Sequence, residues 1–131
     1  MLINTKEIKV INKYFRDFTI AHSDFFRNDD YENNLLLKIQ KKENIPFHKN
    51  WEFIMILVQI IEKKWQLEKI ETHDNWVRFS FDNGGGIQDK GMTKIEAFYL
   101  CCFKIIAKLW KEHKPPFSYQ NMEPFDEIDL K

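Results

Sequence analysis

Cysteine is nearly missing from this 131-residue chain, and the two it has, Cys101 and Cys102, are adjacent. On a helix, neighbouring side chains point roughly 100° apart. The pair is therefore no disulfide framework, and a reducing compartment is the expectation. Net charge is missing too, because Lys+Arg and Asp+Glu both number 20. No global field draws in nucleic acid or an anionic membrane, and an acidic mimic of nucleic acid is disfavoured for the same reason. Long apolar runs are absent; the longest, Phe53 to Val58, is far too short to cross a bilayer. The start, Met1-Leu2-Ile3-Asn4-Thr5-Lys6, lacks the basic region, apolar stretch and small-residue cleavage site of a signal peptide. A cytoplasmic, soluble protein with no membrane partner is expected.

What the chain does have is apolar and aromatic mass, at 44% and 15% of residues, enough for one domain with a sizeable core. Asn4 with Glu7 three residues later reads as a capping box, and Ile8, Ile11, Tyr14, Phe15 and Phe18 follow at helical spacing, which predicts a helix over 5–18. Tyr31, Leu35, Leu36 and Ile39 predict a second, shorter one. Pro46 biases Ile45 away from helix, and Asn50 supplies an N-cap for a strongly apolar helix whose stripe is Trp51, Ile54, Met55, Val58, Ile61 and Trp65. Strands are predicted at Ile70 to Thr72 and at Trp76 to Phe81, where Val77, Phe79 and Phe81 alternate with Trp76, Arg78 and Ser80, and a short third at Gly86 to Gln88. A last helix opens at Thr93-Lys94-Ile95-Glu96, carries Ile95, Phe98, Tyr99, Cys102, Ile106 and Leu109 on one stripe, and stops before Pro115-Pro116. No repeat is visible. The stretch from Phe117 to Lys131 lacks periodicity and reads as an acidic, aromatic tail, either disordered or docked.

No constellation carries catalytic chemistry. Gly84-Gly85-Gly86 could let backbone N–H groups approach an anion, with Lys90 and Lys94 beside it, but it lacks the spacing of a dinucleotide or triphosphate loop and is better read as a hairpin or strand-to-helix connection. His22, His48, His73 and His113 are scattered singly, without the close pairs of a zinc site. Asp24, Asp29, Asp30 and Glu32 lack the internal glycine and spacing of a calcium loop. Cys102 falls on the apolar stripe and Cys101 near its edge, positions of core filling rather than of a nucleophile. No catalytic residue, metal or cofactor is expected, and the chain is read as a non-enzyme.

Two surface readings remain. Trp51, Trp65, Trp76 and Trp110 with twelve phenylalanines exceed what a small sheet with two helices must bury. Trp76 and Trp110 fall toward the exposed sides of their elements, so Trp76, Trp110, Tyr119 and Phe125 are the candidate protein interface. Lys104, Lys108 and Lys111 form a helical stripe that is by default a solvated face; with Arg78, Lys90 and Lys94 it is the candidate anion contact set of a module that binds RNA or a small nucleotide. The apolar sides of the Trp51 helix could also form a homodimer seam.

The run His48-Lys49-Asn50-Trp51-Glu52-Phe53-Ile54-Met55-Ile56-Leu57-Val58, continued by Ile60-Ile61-Glu62, and the run Thr93-Lys94-Ile95-Glu96-Ala97-Phe98-Tyr99 resemble small uncharacterised proteins of phages and integrated elements of Bacteroidota, similar to the phage ABA-sandwich domain. The resemblance covers residues 46–112. It implies a Trp-led helix and a second helix around a small sheet, and a phage accessory protein; several such proteins disable host defence by stoichiometric binding, anti-CRISPR proteins among them. The long N-terminal extension and the acidic, aromatic tail depart from the group's plainer members. A host protein, such as a CRISPR effector nuclease or its RNA complex, is the implied partner.

The expected architecture is α+β: a two- or three-stranded antiparallel sheet packed by two long helices in the order helix-strand-strand-helix, with two more helices at the N-terminus. A helical extension at 1–45, a core at 46–114 and a tail at 115–131 divide the chain.

Overall fold

Asn4 and Glu7 exchange hydrogen bonds at the head of the first helix: Glu7 N donates to Asn4 Oδ1 at 2.8 Å and Asn4 N to Glu7 Oε1 at 3.0 Å. This satisfies two of the N–H groups that a helix start leaves without partners. The helix that follows, α1 (Thr5–Ala21), runs a turn beyond the expected end and buries Ile11, Tyr14, Phe15 and Phe18. The structure is a computed structural model; it describes residues 4–26 and 30–117, with 126–128 as backbone.

A 3-10 turn (Ser23–Phe26) leads to α2 (Asp30–Lys41). The final carbonyls of α2 have no partner within their own helix. Arg16 of α1 supplies one: Nε donates to Ile39 O at 2.9 Å and Lys42 O at 2.8 Å, and Nη2 to Gln40 O at 2.9 Å. A cation at the negative end of the helix dipole adds to the hold. After a 3-10 turn at Phe47–Lys49, Asn50 Oδ1 accepts from Glu52 N at 2.9 Å and opens α3 (Trp51–Trp65). Gln66 ends that helix in the left-handed region, at φ 60°.

The sheet then forms as a meander of β1 (Leu67–His73), β2 (Trp76–Phe81) and β3 (Gly86–Lys90). The β2–β3 connection holds the glycine triplet, and it is a hairpin. Gly84 takes φ 91°, Asn83 Oδ1 accepts from Gly85 N at 2.8 Å, and a Cβ on Gly86 would stand 2.6 Å from Phe79 O. Gly84 and Gly86 are glycine for backbone reasons. Beyond α4 (Lys94–Leu109), which Thr93 caps, the short β4 (Asp126–Ile128) pairs antiparallel with β3, giving the order β1-β2-β3-β4. The tail therefore docks at least there, adding a strand beyond the expected two or three.

Three layers result. α4 lies on the sheet, with Phe98 edge-on to Phe79 at 5.6 Å and Cys101 Sγ donating to Val77 O. α3 lies beside α4 and against β1. α1 covers the other side of α4, where Tyr14 and Phe15 meet Phe103 and Tyr99, and Tyr14 OH donates to Ile106 O. Every residue of α4 from Glu96 to Ile106 is consequently buried.

That coverage corrects the expectation for Lys104. It sits not on a solvated stripe but against β3, paired with Asp89, both side chains 0% exposed. Asp89 Oδ1 also accepts from Lys90 N at 2.9 Å. Burial pushes the Asp89 carboxyl above its ordinary pKa against the pull of Lys104; the ammonium is what makes the carboxylate tolerable there.

Asp89→Ala removes the carboxylate paired with Lys104 in the core, so urea unfolding should show a loss of about 3–5 kcal/mol. The double variant Asp89→Leu/Lys104→Met, which removes both charges at similar volume, should recover most of it.

Candidate interaction face

Strand alternation sorts the sheet into two unlike faces. Val77, Phe79, Phe81 and Ile87 are buried on the side of α4, and no described helix covers the other side. Register assembles that open side in rows: Trp76 pairs with His73 and Lys90, Arg78 with Glu71 and Gln88, Ser80 with Lys69 and Gly86. Trp76, Arg78, Ser80 and Gln88 are half-buried, with Lys69, Glu71 and Lys90 exposed around them. Lys90 lies directly beside Trp76, Arg78 one row on and Lys69 a further row away; among the described side chains of this face Glu71 is the carboxylate, and register sets Asp126 of β4 opposite Gln88. Lys69 and Glu71 pair at 3.6 Å with both side chains largely in water, a contact of little energetic weight.

Arg78 is the distinctive group. Its Nε is buried and has no hydrogen-bond partner. A buried donor left unpaired costs about 1–3 kcal/mol, and a carboxylate or phosphate oxygen arriving at this face would remove that cost by drawing the guanidinium outward to pair with it.

The structure distributes the other candidates widely. Trp76 and Lys90 share this face with Arg78. Trp110, expected to be exposed, is buried at 6% exposure: Phe18 stands edge-on to it at 5.2 Å, Tyr14 lies at 5.4 Å, and His113 stacks on it at 4.7 Å. The cause is α1, which covers the side of α4 that a two-layer fold would leave open. Lys94 is exposed at the start of α4 and Lys111 just past its end, and Lys108 is half-buried, so with Lys104 in the core the lysine stripe is not one surface. Tyr119 and Phe125 lie outside the described residues. The apolar sides of α3, the expected dimer seam, are covered by the chain itself: Phe53, Ile54, Ile56, Leu57, Val58, Ile60 and Ile61 are buried, while Trp51 keeps 43% of its surface exposed.

Both thiols and two tyrosine hydroxyls are buried. Burial raises the pKa of both Cys101 and Cys102, and of the Tyr14 and Tyr99 hydroxyls, which keeps all four protonated. Among the described residues no three His, Cys, Asp or Glu side chains gather as a metal site, and no helix is long and apolar enough to cross a membrane. Sequence reasoning missed Asp89; its one signal is a carboxylate in step with inward-facing Ile87. Comparison with known proteins gives no relationship to lean on: no family model, no curated protein and no solved structure matches this chain.

Two histidines do carry a consequence for stability. His22 is buried and donates Nδ1–H to Phe18 O at 2.7 Å; burial, helped by Lys64, lowers its pKa despite that bond and Glu112. His48 is lowered by burial and by Lys49. For a group whose folded pKa is depressed, the unfolded chain binds protons first, so the stability is full above the unfolded value near 6.5 and is lost as the pH falls through the folded one. The melting temperature should drop between about pH 7.5 and about pH 5.5, a window above ordinary carboxylate titration. In the double variant His22→Asn/His48→Gln, whose amides keep the donors, that drop should shrink.

Proposed function

We propose that this protein acts by binding, and that the open face of its sheet is the contact surface. The observation that carries this reading is the Trp76–Arg78–Lys90 cluster with its unpaired, buried guanidinium nitrogen. An aromatic anchor beside an arginine is the composition that interface hot spots favour. Among the described side chains of this face cations outnumber carboxylates, which calls for an acidic patch on the partner. Stoichiometric binding also fits the burial of both thiols and the mutual neutralisation of Lys104 and Asp89 in the core. Taken with the resemblance to phage accessory proteins, the partner is a host protein, and the role is inhibition of a host defence system in the manner of anti-CRISPR proteins.

A second reading has one observation in its favour. An indole among cations on an open sheet face is also how sheets take single-stranded RNA, by stacking bases and neutralising phosphates.

Tagged protein in host lysate should retain one acidic-surfaced host protein in roughly one-to-one ratio, and Trp76→Ala/Arg78→Ala should weaken the purified pair by more than about 2 kcal/mol, or roughly thirtyfold. Retention of no host protein at micromolar bait would sink the protein reading. Binding to single-stranded RNA that falls steeply with salt and is lost in the same double variant would establish the second.

A further inference from the structure

On the other side of the molecule, α1 and the 43–49 connection flank a half-open cavity of about 780 Å3, within the range of small-molecule sites. Its charge is one-sided: Lys9, Lys13 and Lys49 line it with Glu43 as the single carboxylate, while Arg16, also on the wall, is engaged by the α2 carbonyls. In a chain whose net charge is zero, three uncommitted ammonium groups around one hollow are a local concentration of positive potential. Lysine is a compact point charge that suits phosphate. Ile8, Ile45 and Pro46 give the same hollow an apolar wall.

Asn12 and His48, which also line the cavity, are ordered from beneath. Tyr99 OH has two acceptors in reach, Asn12 Oδ1 at 2.9 Å and Ile8 O at 3.3 Å; donation to the nearer one leaves the Asn12 amide nitrogen facing His48 Nδ1 at 3.0 Å and donating to it. With Nδ1 accepting, the proton of neutral His48 is on Nε2. The imidazole is thereby fixed as a donor rather than an acceptor, the polarity an anion requires.

We infer that this cavity is a ligand site separate from the sheet face, and that it takes a small phosphorylated molecule of nucleotide size, with its phosphate on Lys9, Lys13 and Lys49 and its less polar body along Ile8, Ile45 and Pro46. The site is assembled from α1 and the connection into α3, and its polar side is held by a tyrosine of the central helix.

Isothermal titration of the full chain tests this with four probes: inorganic pyrophosphate, adenosine 5′-monophosphate, unphosphorylated adenosine and a single-stranded RNA oligomer. The two phosphorylated probes should bind and adenosine should not. Lys13→Ala/Lys49→Ala should weaken binding by roughly tenfold or more; both side chains are exposed, and an unchanged unfolding midpoint would show the fold intact. His48→Gln, which keeps a donor at the Nε2 position, should bind better than His48→Ala. Trp76→Ala/Arg78→Ala should leave these affinities unchanged, which separates this site from the sheet face. Absence of binding by either phosphorylated probe at millimolar concentration, affinity indifferent to the lysine substitutions, or binding confined to RNA oligomers would each overturn the proposal.

Discussion

The buried pair of Lys104 and Asp89 is the constraint around which the rest of the molecule is arranged. α4 has sheet on one side and α1 on the other, and its residues from Glu96 to Ile106 are all buried. A helix in that position has no solvent side on which to leave an ammonium group, and an unpaired buried charge is among the costliest defects a core can hold. Asp89 resolves it from β3. The solution fixes more than a charge. A one-residue slip of β3 would turn Asp89 and Ile87 to the open face together, and a rotation of α4 would carry Lys104 away from its acceptor. Helix orientation and strand register therefore hold each other.

The same two-sided burial accounts for the aromatics. A two-layer α/β unit needs one core; this chain builds two. Phe79 and Phe98 belong to the one between α4 and the sheet. Tyr14, Phe15, Phe18, Phe47, Phe103 and Trp110 make the other, ring against ring, between α1 and α4. The apparent surplus was a second interior, and Trp110 shows where reasoning from one helix stops. Its place on the wheel of α4 says which side it faces, but whether that side meets water or another helix is decided by α1, some ninety residues away in sequence, as the Tyr14–Ile106 bond illustrates.

Local signals were legible for a matching physical reason. The capping box at Asn4, the caps at Asn50 and Thr93, the alternation of β2 and the hairpin role of the glycines each depend on residues within a few positions of one another. β4 was not legible, because a three-residue strand at the edge of a sheet carries too few positions for alternation to register. The candidate sites divide along the same line. Trp76 and Arg78 could be picked from one strand, and register alone places Lys90 beside them. The cavity along α1 could not, since Asn12, His48 and Tyr99 come from three separate elements. A formal net charge of zero also concealed it: that total is a sum over the chain and says nothing of where the charges collect.

The Tyr99–Asn12–His48 chain has a direction, and the direction follows from burial. The Tyr99 hydroxyl sits in surroundings that raise its pKa, so throughout the neutral range it keeps its proton and acts as a donor. Its nearer acceptor is Asn12 Oδ1 at 2.9 Å, against Ile8 O at 3.3 Å; with that bond made, Asn12 donates with its nitrogen and His48 accepts at Nδ1. Burial and Lys49 keep the imidazole from taking a second proton. If it did, Nδ1–H would face the Asn12 amide nitrogen, donor against donor, and the chain would have to break or the amide turn over. The lowered basicity of His48 and the fixed sense of the hydrogen bonds therefore reinforce each other. The core, through one tyrosine, determines which face of a histidine the cavity meets.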